Sequence, residues 1–195
     1  MKEPIYPRAR LEALGDAIFG VAMTLLVLDV RLPEEFHPQD ADGFMRGIIG
    51  LGPKFWPYAL SFLVLGLRWL ATIQVRSRTE SFNREYAMWW LLHMLLITCV
   101  PFTTIVVGRF AQFAPAIWLY AGNTLLIGAV AYRLLMLTDV EPGEHLRDRS
   151  AGLLVLMGSS LLAIGWSFIN PRQAPWAFVL NALGPLVTRW TGRST

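Results

Sequence analysis

Six long apolar segments occupy most of this 195-residue chain and limit what it can fold into. A helix needs roughly 20 apolar residues to cross the hydrocarbon core of a membrane. The segments that reach or approach this length are residues 11–31, 46–75, 86–107, 115–137, 150–169 and 174–190. The second is long enough to tilt or to begin as an interfacial piece near residues 50–53. The sixth is short, and Pro185 interrupts it. We predict an all-α polytopic membrane protein with six transmembrane helices in one domain.

Composition supports a membrane protein and excludes several other classes. Charged residues make up 16% of the chain, whereas soluble domains carry about 25%. The net charge of +3 is spread over loops, so we predict no nucleic-acid partner. The single cysteine, Cys99, excludes a disulfide framework and a cysteine metal site. Acidic residues in the first segment, with no small-residue cleavage site after it, predict a retained helix rather than a signal peptide.

The distribution of basic residues predicts the orientation in the membrane. Of the 17 Lys and Arg residues, eleven lie on the side of the two termini and five on the other, while Arg68 lies within a span. Because cytoplasmic loops carry the excess of basic residues, we predict that both termini are cytoplasmic. The acidic loop 33–43, PEEFHPQDADG, is then external. It either raises the local cation concentration near a mouth or is a solvated linker.

The first span carries a narrow aliphatic stripe. Its members recur at steps of four and three residues along one helix face: Leu14, Ile18, Val21, Leu25 and Leu28. Beside it runs a strip of small or hydroxyl residues: Ala13, Ala17, Gly20 and Thr24. Small residues at this spacing let neighbouring helices approach closely in a bilayer. By itself, the aliphatic stripe is typical of a packing seam or a lipid-facing surface.

Asp16 changes the interpretation of this span. It lies about 140° around the helix from Val21, at 100° per residue. A carboxylate at this depth is costly and normally faces protein or water, with a partner. The side opposite the stripe should therefore be buried against other helices. The stripe then faces another copy of itself or a central lumen.

These segments resemble a known family. Residues 10–16, RLEALGD, are similar to the Arg-x-x-x-Phe-Ser-Asp motif that opens the first helix in bacterial members of the lysosomal potassium channel family (transmembrane protein 175 family). Residues 60–69, LSFLVLGLRW, resemble the second helix of that family, and residues 101–109, PFTTIVVGR, resemble the end of its third. Leu14 replaces the motif Phe and Gly15 the motif Ser. No His pair follows the Trp of the second helix.

The resemblance implies a channel for K⁺ and other monovalent cations in the bacterial inner membrane. It implies a homotetramer in the lipid bilayer, with a central pore lined by the first helix of each subunit and no cofactor. Its pore-lining constriction would consist of three aliphatic layers: Val21, Leu25 and Leu28. Thr24 would be the supporting hydroxyl. In the family the motif Arg and Asp belong to a polar network behind the pore, which implies that role for Arg10 and Asp16.

Other polar side chains lie within the predicted spans. Arg68 should join the polar network through Asp16, face an aqueous vestibule, or snorkel. His93 enters the membrane to about the depth of Asp16, and a contact between the two would respond to pH. The alternative for His93 is a satisfied interior residue. Asn123 and Asn181 are expected to bond between helices.

Two other functions stay open. A secondary transporter would use broken helices, for which residues 50–53 and 184–185 are candidates, although neither lies at a midplane. A non-conducting membrane scaffold would use the aliphatic stripe only as a seam. An enzyme is not predicted, because the sequence has no paired intramembrane carboxylates, no HExxH motif and no Ser or Cys with a matched His and acid.

Overall fold

A computed structural model describes residues 5–73, 80–138 and 146–183. Its α-helices are α1 (Arg8–Leu25), α2 (Ala41–Ile49), α3 (Gly52–Ile73), α4 (Arg84–Thr98), α5 (Val100–Phe110), α6 (Ala114–Met136) and α7 (Leu146–Ser167). Two 3-10 helices follow α1 and α7: Leu26–Asp29 and Ala174–Leu183. Two-residue antiparallel strands, β1 (Tyr6–Pro7) and β2 (Ser81–Phe82), join the start of α1 to the start of α4.

Among the described residues, five segments are long and apolar enough to cross a membrane. They are Arg8–Asp29, Gly52–Ile73, Arg84–Phe110, Ala114–Met136 and Ser150–Ser167. The prediction of a polytopic α-helical membrane protein is thus confirmed. The sixth span stays a prediction: Ala174–Leu183 is a 3-10 helix, and residues 184–190 lie outside the described part of the chain.

Two predicted spans are interrupted where proline limits helical hydrogen bonding. The second does not run unbroken from residue 46, because α2 ends at Ile49 and a new helix begins at Gly52, with Pro53 in its first turn. Proline is favoured there, since first-turn N–H groups have no intrahelical partner. In the third span, α4 and α5 meet at Cys99, just before Pro101. The break lies at residues 50–51, where the interfacial alternative puts it, and the position of this break in the membrane stays a prediction.

The core lies around α6. In the most apolar window of α6, 50% of residues are buried, against 22% in the corresponding windows of α1 and α3. Helix α6 packs against α4, α5 and α7. The first helix is therefore at the periphery of the single chain, with most of its surface unpartnered.

Buried polar side chains join the helices of this core. Ser61 Oγ lies 3.0 Å from the Tyr120 hydroxyl oxygen and accepts a hydrogen bond from Thr104 Oγ1 at 2.8 Å. The Asn123 amide donates to the Leu96 carbonyl at 3.1 Å. The Asn181 amide donates to Ser159 Oγ at 2.9 Å. The predicted interhelical bonds of both asparagines are thus confirmed.

Candidate functional site

One face of α1 and its 3-10 extension is buried against the helical core. Its residues follow steps of four, three and four: Gly15, Phe19, Ala22 and Leu26. Three of them, Phe19, Ala22 and Leu26, belong to a cluster that includes side chains from α3, α4 and α5: Val64, Leu65, Trp90, Met94, Ile97 and Val100. This face determines how α1 is rotated, and hence which of its side chains point away from the chain.

The aliphatic stripe is on an exposed side of α1. Val21, Leu25 and Leu28 are 58%, 43% and 64% exposed in the single chain. At 100° per residue, the stripe lies about 120° around the helix from the buried face. Thr24 is also exposed, and its hydroxyl donates to the Val21 carbonyl at 2.8 Å. The four residues predicted to line or support a pore are therefore all accessible to a ligand, lipid or a second chain.

The end of this span changes from α-helix to 3-10 helix at Leu26. Side chains three residues apart eclipse one another in a 3-10 helix, whereas they differ by about 60° in an α-helix. Leu28 is consequently aligned with Leu25 along the axis. The conformational change at Leu26 stacks the last two layers of the stripe.

An ion pair holds this 3-10 segment to α5. The Arg109 guanidinium contacts Asp29 Oδ1, with its Nε donating at 3.1 Å. Lys54, at the start of α3, donates to the Arg31 carbonyl at 3.2 Å. Sequence reasoning did not assign Asp29 or Lys54 to the site. The only available signal was the occurrence of opposite charges at the ends of neighbouring predicted spans.

Asp16 is tied to the second span through a tryptophan. Trp69 Nε1 donates to Asp16 Oδ1 at 2.9 Å, joining α3 to α1. The partner is therefore the residue after Arg68, not Arg68 itself. Arg10 is exposed and has no ion pair with any residue in the described ranges. The structure thus gives Asp16 a polar contact beside α1, while the role of Arg10 in the polar network stays a prediction.

Replacing Trp69 by Phe should test this contact, because Phe keeps an aromatic ring at this position and removes the N–H donor. We expect a loss of about 1 kcal/mol, which is the usual net contribution of a hydrogen bond. This corresponds to a fall of about 3 °C in apparent Tm for a chain of this size. The measurement is thermal unfolding in detergent. Trp166→Phe is the matched control because Trp166 has no hydrogen bond from its side chain among the described residues. Equal losses in the two variants would contradict the contact.

Arg68 on α3 and His93 on α4 both place side-chain nitrogen atoms inside the bundle. His93 is 2% exposed. Within the described ranges, Arg68 Nε and His93 Nδ1 are buried and have no hydrogen-bond partner. The hydrogen bond to Asp16 comes from Trp69. The predicted place of Arg68 and His93 in the polar network stays a prediction.

Gly15, which stands at the motif Ser position, is in close contact with α4. A Cβ atom at this position would lie 3.2 Å from Trp90 Cζ2 and 3.8 Å from Met94 Sδ. The first distance is tighter than ordinary van der Waals contact. The absence of a side chain therefore lets the Trp90 ring pack directly against the α1 backbone, which gives a packing reason for this departure from the motif.

The sequence is similar to a family of ion channels. A model of the family described as endosomal/lysosomal potassium channel TMEM175 matches residues 10–101, from the third residue of α1 to the second residue of α5. This is a family of ion channels rather than of enzymes, in agreement with the prediction. The matched part contains the complete aliphatic stripe, Asp16 and its partner Trp69.

Individual relatives cover parts of the chain. A potassium channel of Streptomyces collinus is 31% identical over 103 residues, which are 53% of this chain and 48% of the relative. A potassium channel of Chamaesiphon minutus is 29% identical over 64% of this chain and 63% of the relative. The human endosomal/lysosomal proton channel TMEM175 is 30% identical over 36% of this chain and 15% of its own length. The chain spans about half to just under two thirds of the length of the two bacterial relatives.

The fold is also similar to a solved structure. That structure is the crystal structure of a lysosomal potassium-selective channel TMEM175 homolog from Chamaesiphon minutus. The TM-score is 0.66 at 25% sequence identity, and the alignment covers 92% of this chain and 97% of the other. The likeness therefore extends beyond residues 10–101 to nearly the whole helical bundle.

Proposed function

We propose that the chain belongs to the family of the endosomal/lysosomal potassium channel TMEM175 and that it is a potassium channel. Four copies surround a central pore, and α1 of each copy lines it. Rings of Val21, Leu25 and Leu28 form the constriction. The protein lies in a bacterial cell membrane with both termini in the cytoplasm, as its basic residues predict.

The exposure of Asp16 and Thr24 within a span is the observation that carries this proposal. Both are exposed in the single chain, on a helix that is mostly uncovered. A carboxylate within a membrane span does not normally face lipid; it faces protein or a water-filled space. The side of α1 that carries Asp16, about 140° from Val21, is therefore expected to face other copies of the chain or water. A tetramer would cover that side and leave the stripe facing a central pore.

The small-residue strip supports the assembly of several copies. Three of its members, Ala13, Ala17 and Thr24, are exposed, and Gly20 is half-buried. The strip lies about 160° from the buried face of α1, at 100° per residue. Small residues are enriched where transmembrane helices pack against each other. The α1 helices of neighbouring subunits could thus approach closely beside the pore.

Aliphatic rings would control conduction by excluding water. Leu and Val side chains have no oxygen that could replace the hydration shell of an ion, so they cannot select as a carbonyl cage does. A narrow apolar ring instead loses its water and blocks the ion, and slight widening restores conduction. Selection then depends on ion size and on the cost of dehydration. Thr24, one turn before Leu28, is the nearest side-chain oxygen on this face of α1.

Ion flux in liposomes tests the function. Purified protein in liposomes should carry K⁺ down its gradient without a second substrate, and in planar bilayers it should give discrete current steps. Flux that saturates and needs a coupled substrate would favour a secondary transporter, and no flux a scaffold. Parallel gradients of Na⁺ and H⁺ determine the selectivity, which matters because the vertebrate relative is a proton channel.

The oligomeric state provides a second test. Light scattering in detergent should give a protein mass about four times the 21.9 kDa of one chain. A mass equal to one chain would contradict a pore formed by α1. A dimer would favour the transporter alternative, since a chain of this length would have to pair to reach an ordinary transporter size.

A further inference from the structure

The short helix α2 has an apolar face that no described part of the chain covers. It lies between the end of the first span at Asp29 and the start of the second at Gly52. Every residue of α2 except its two glycines is exposed, and none is buried. Its large apolar side chains are between 41% and 70% exposed: Phe44, Met45, Ile48 and Ile49.

The glycines of α2 determine which way this face points. A Cβ atom on Gly47 would overlap the Phe36 ring, and one on Gly43 would lie 3.7 Å from Pro38 Cβ. The glycine side of α2 therefore packs on the loop that precedes it. At 100° per residue, Phe44 and Ile49 bound a sector that also includes Ile48 and Met45, and the charged pair Asp42 and Arg46 occupies the next sector, beyond Ile49. The helix has three distinct sides: glycine, charged and apolar.

The position of α2 in the chain places it at the membrane boundary. Only Gly50 and Leu51 separate it from α3, and hydrogen bonds from these residues to Arg46 and Ile48 carbonyls continue the turn. Exposed apolar side chains continue along the chain with Phe55 and Trp56 in the first turns of α3. The uncovered face of α2 therefore continues along the chain into the lipid-facing part of a spanning helix.

We propose that α2 lies in the plane of the membrane, with its apolar face inserted in the headgroup and acyl-chain boundary of the leaflet opposite the N-terminus. Amphipathic helices bind membranes in this way. Four large side chains are too few for a stable protein interface, which takes about 20–30 residues a side. The charges of Asp42 and Arg46 cancel, so we expect α2 to bind a membrane of zwitterionic lipid without anionic lipid. The proposal does not depend on channel activity.

Site-specific fluorescence in liposomes tests this proposal. Cys99 is replaced by Ser, and an environment-sensitive NBD label is attached at Ile48→Cys on the apolar face or at Arg46→Cys on the charged side, about 160° away around the helix. The full chain is reconstituted in phosphatidylcholine liposomes. We expect the Ile48 label to emit at shorter wavelength and to be quenched by doxyl-labelled lipid. The Arg46 label should be quenched by aqueous iodide.

Two outcomes would overturn the proposal. Iodide quenching of the Ile48 label equal to that of the Arg46 label would mean that the face is in water. Protection of the Ile48 label from both quenchers would mean that another copy of the chain covers it. Phe44→Cys, on the same face one turn earlier, repeats the measurement if the Ile48 variant does not fold.

Discussion

Replacing Leu25 or Leu28 by alanine should increase K⁺ flux into liposomes by about tenfold or more. Alanine widens the apolar ring, so water and a partly hydrated cation enter more easily. A tenfold increase corresponds to a barrier lower by about 1.4 kcal/mol. Because the 3-10 segment aligns the two layers, Leu25→Ala and Leu28→Ala together should exceed either alone. The measurement is initial flux per reconstituted protein under a fixed K⁺ gradient.

Val27 provides the matched control for this result. It lies between the two leucines and is 45% exposed, but it is one residue off the stripe. Val27→Ala removes a similar apolar volume from the same segment and should leave the flux within about twofold of the original, since it does not narrow the proposed path. Unchanged flux for Val21→Ala, Leu25→Ala and Leu28→Ala would eliminate the pore assignment. An equal increase for Val27→Ala would assign the effect to loss of helix packing.

Replacing Phe19 by alanine should produce the largest loss of stability among these variants. Phe19 is 2% exposed and lies at the centre of the buried face of α1, so truncation leaves a cavity among α3, α4 and α5. Phe→Ala in a soluble core costs about 3–5 kcal/mol. In a bilayer the substitution costs little transfer free energy, since lipid is also apolar. The packing contacts of the Phe19 ring are still lost.

We therefore expect a loss of about 2 kcal/mol, or about 6 °C in apparent Tm. Thermal unfolding in detergent, followed by size-exclusion chromatography, measures it. Phe102→Ala is the control, because the Phe102 side chain is 60% exposed on α5 and its removal leaves no internal cavity. If both variants lose the same stability, the buried face of α1 does not anchor the helix.

The spanning segments and the aliphatic stripe can be predicted because both are local properties of the sequence. A run of about 20 apolar residues defines a candidate span wherever it occurs. Steps of three and four residues place Val21, Leu25 and Leu28 on one face whatever lies around the helix. The interruption near Gly52 was also visible, since proline in a first turn indicates a new helix. No partner is needed to establish these features.

The contacts that orient α1 depend on the tertiary structure. Trp69 rather than Arg68 bonds Asp16, and Arg109 holds Asp29 across 80 positions of sequence. Which residue becomes the partner depends on how one helix is rotated and how far it is shifted along another. The periodicity of a single segment gives neither the rotation nor the shift. The covered face of α1, and with it the outward direction of the stripe, is decided only when α3, α4 and α5 pack against Phe19 and its neighbours.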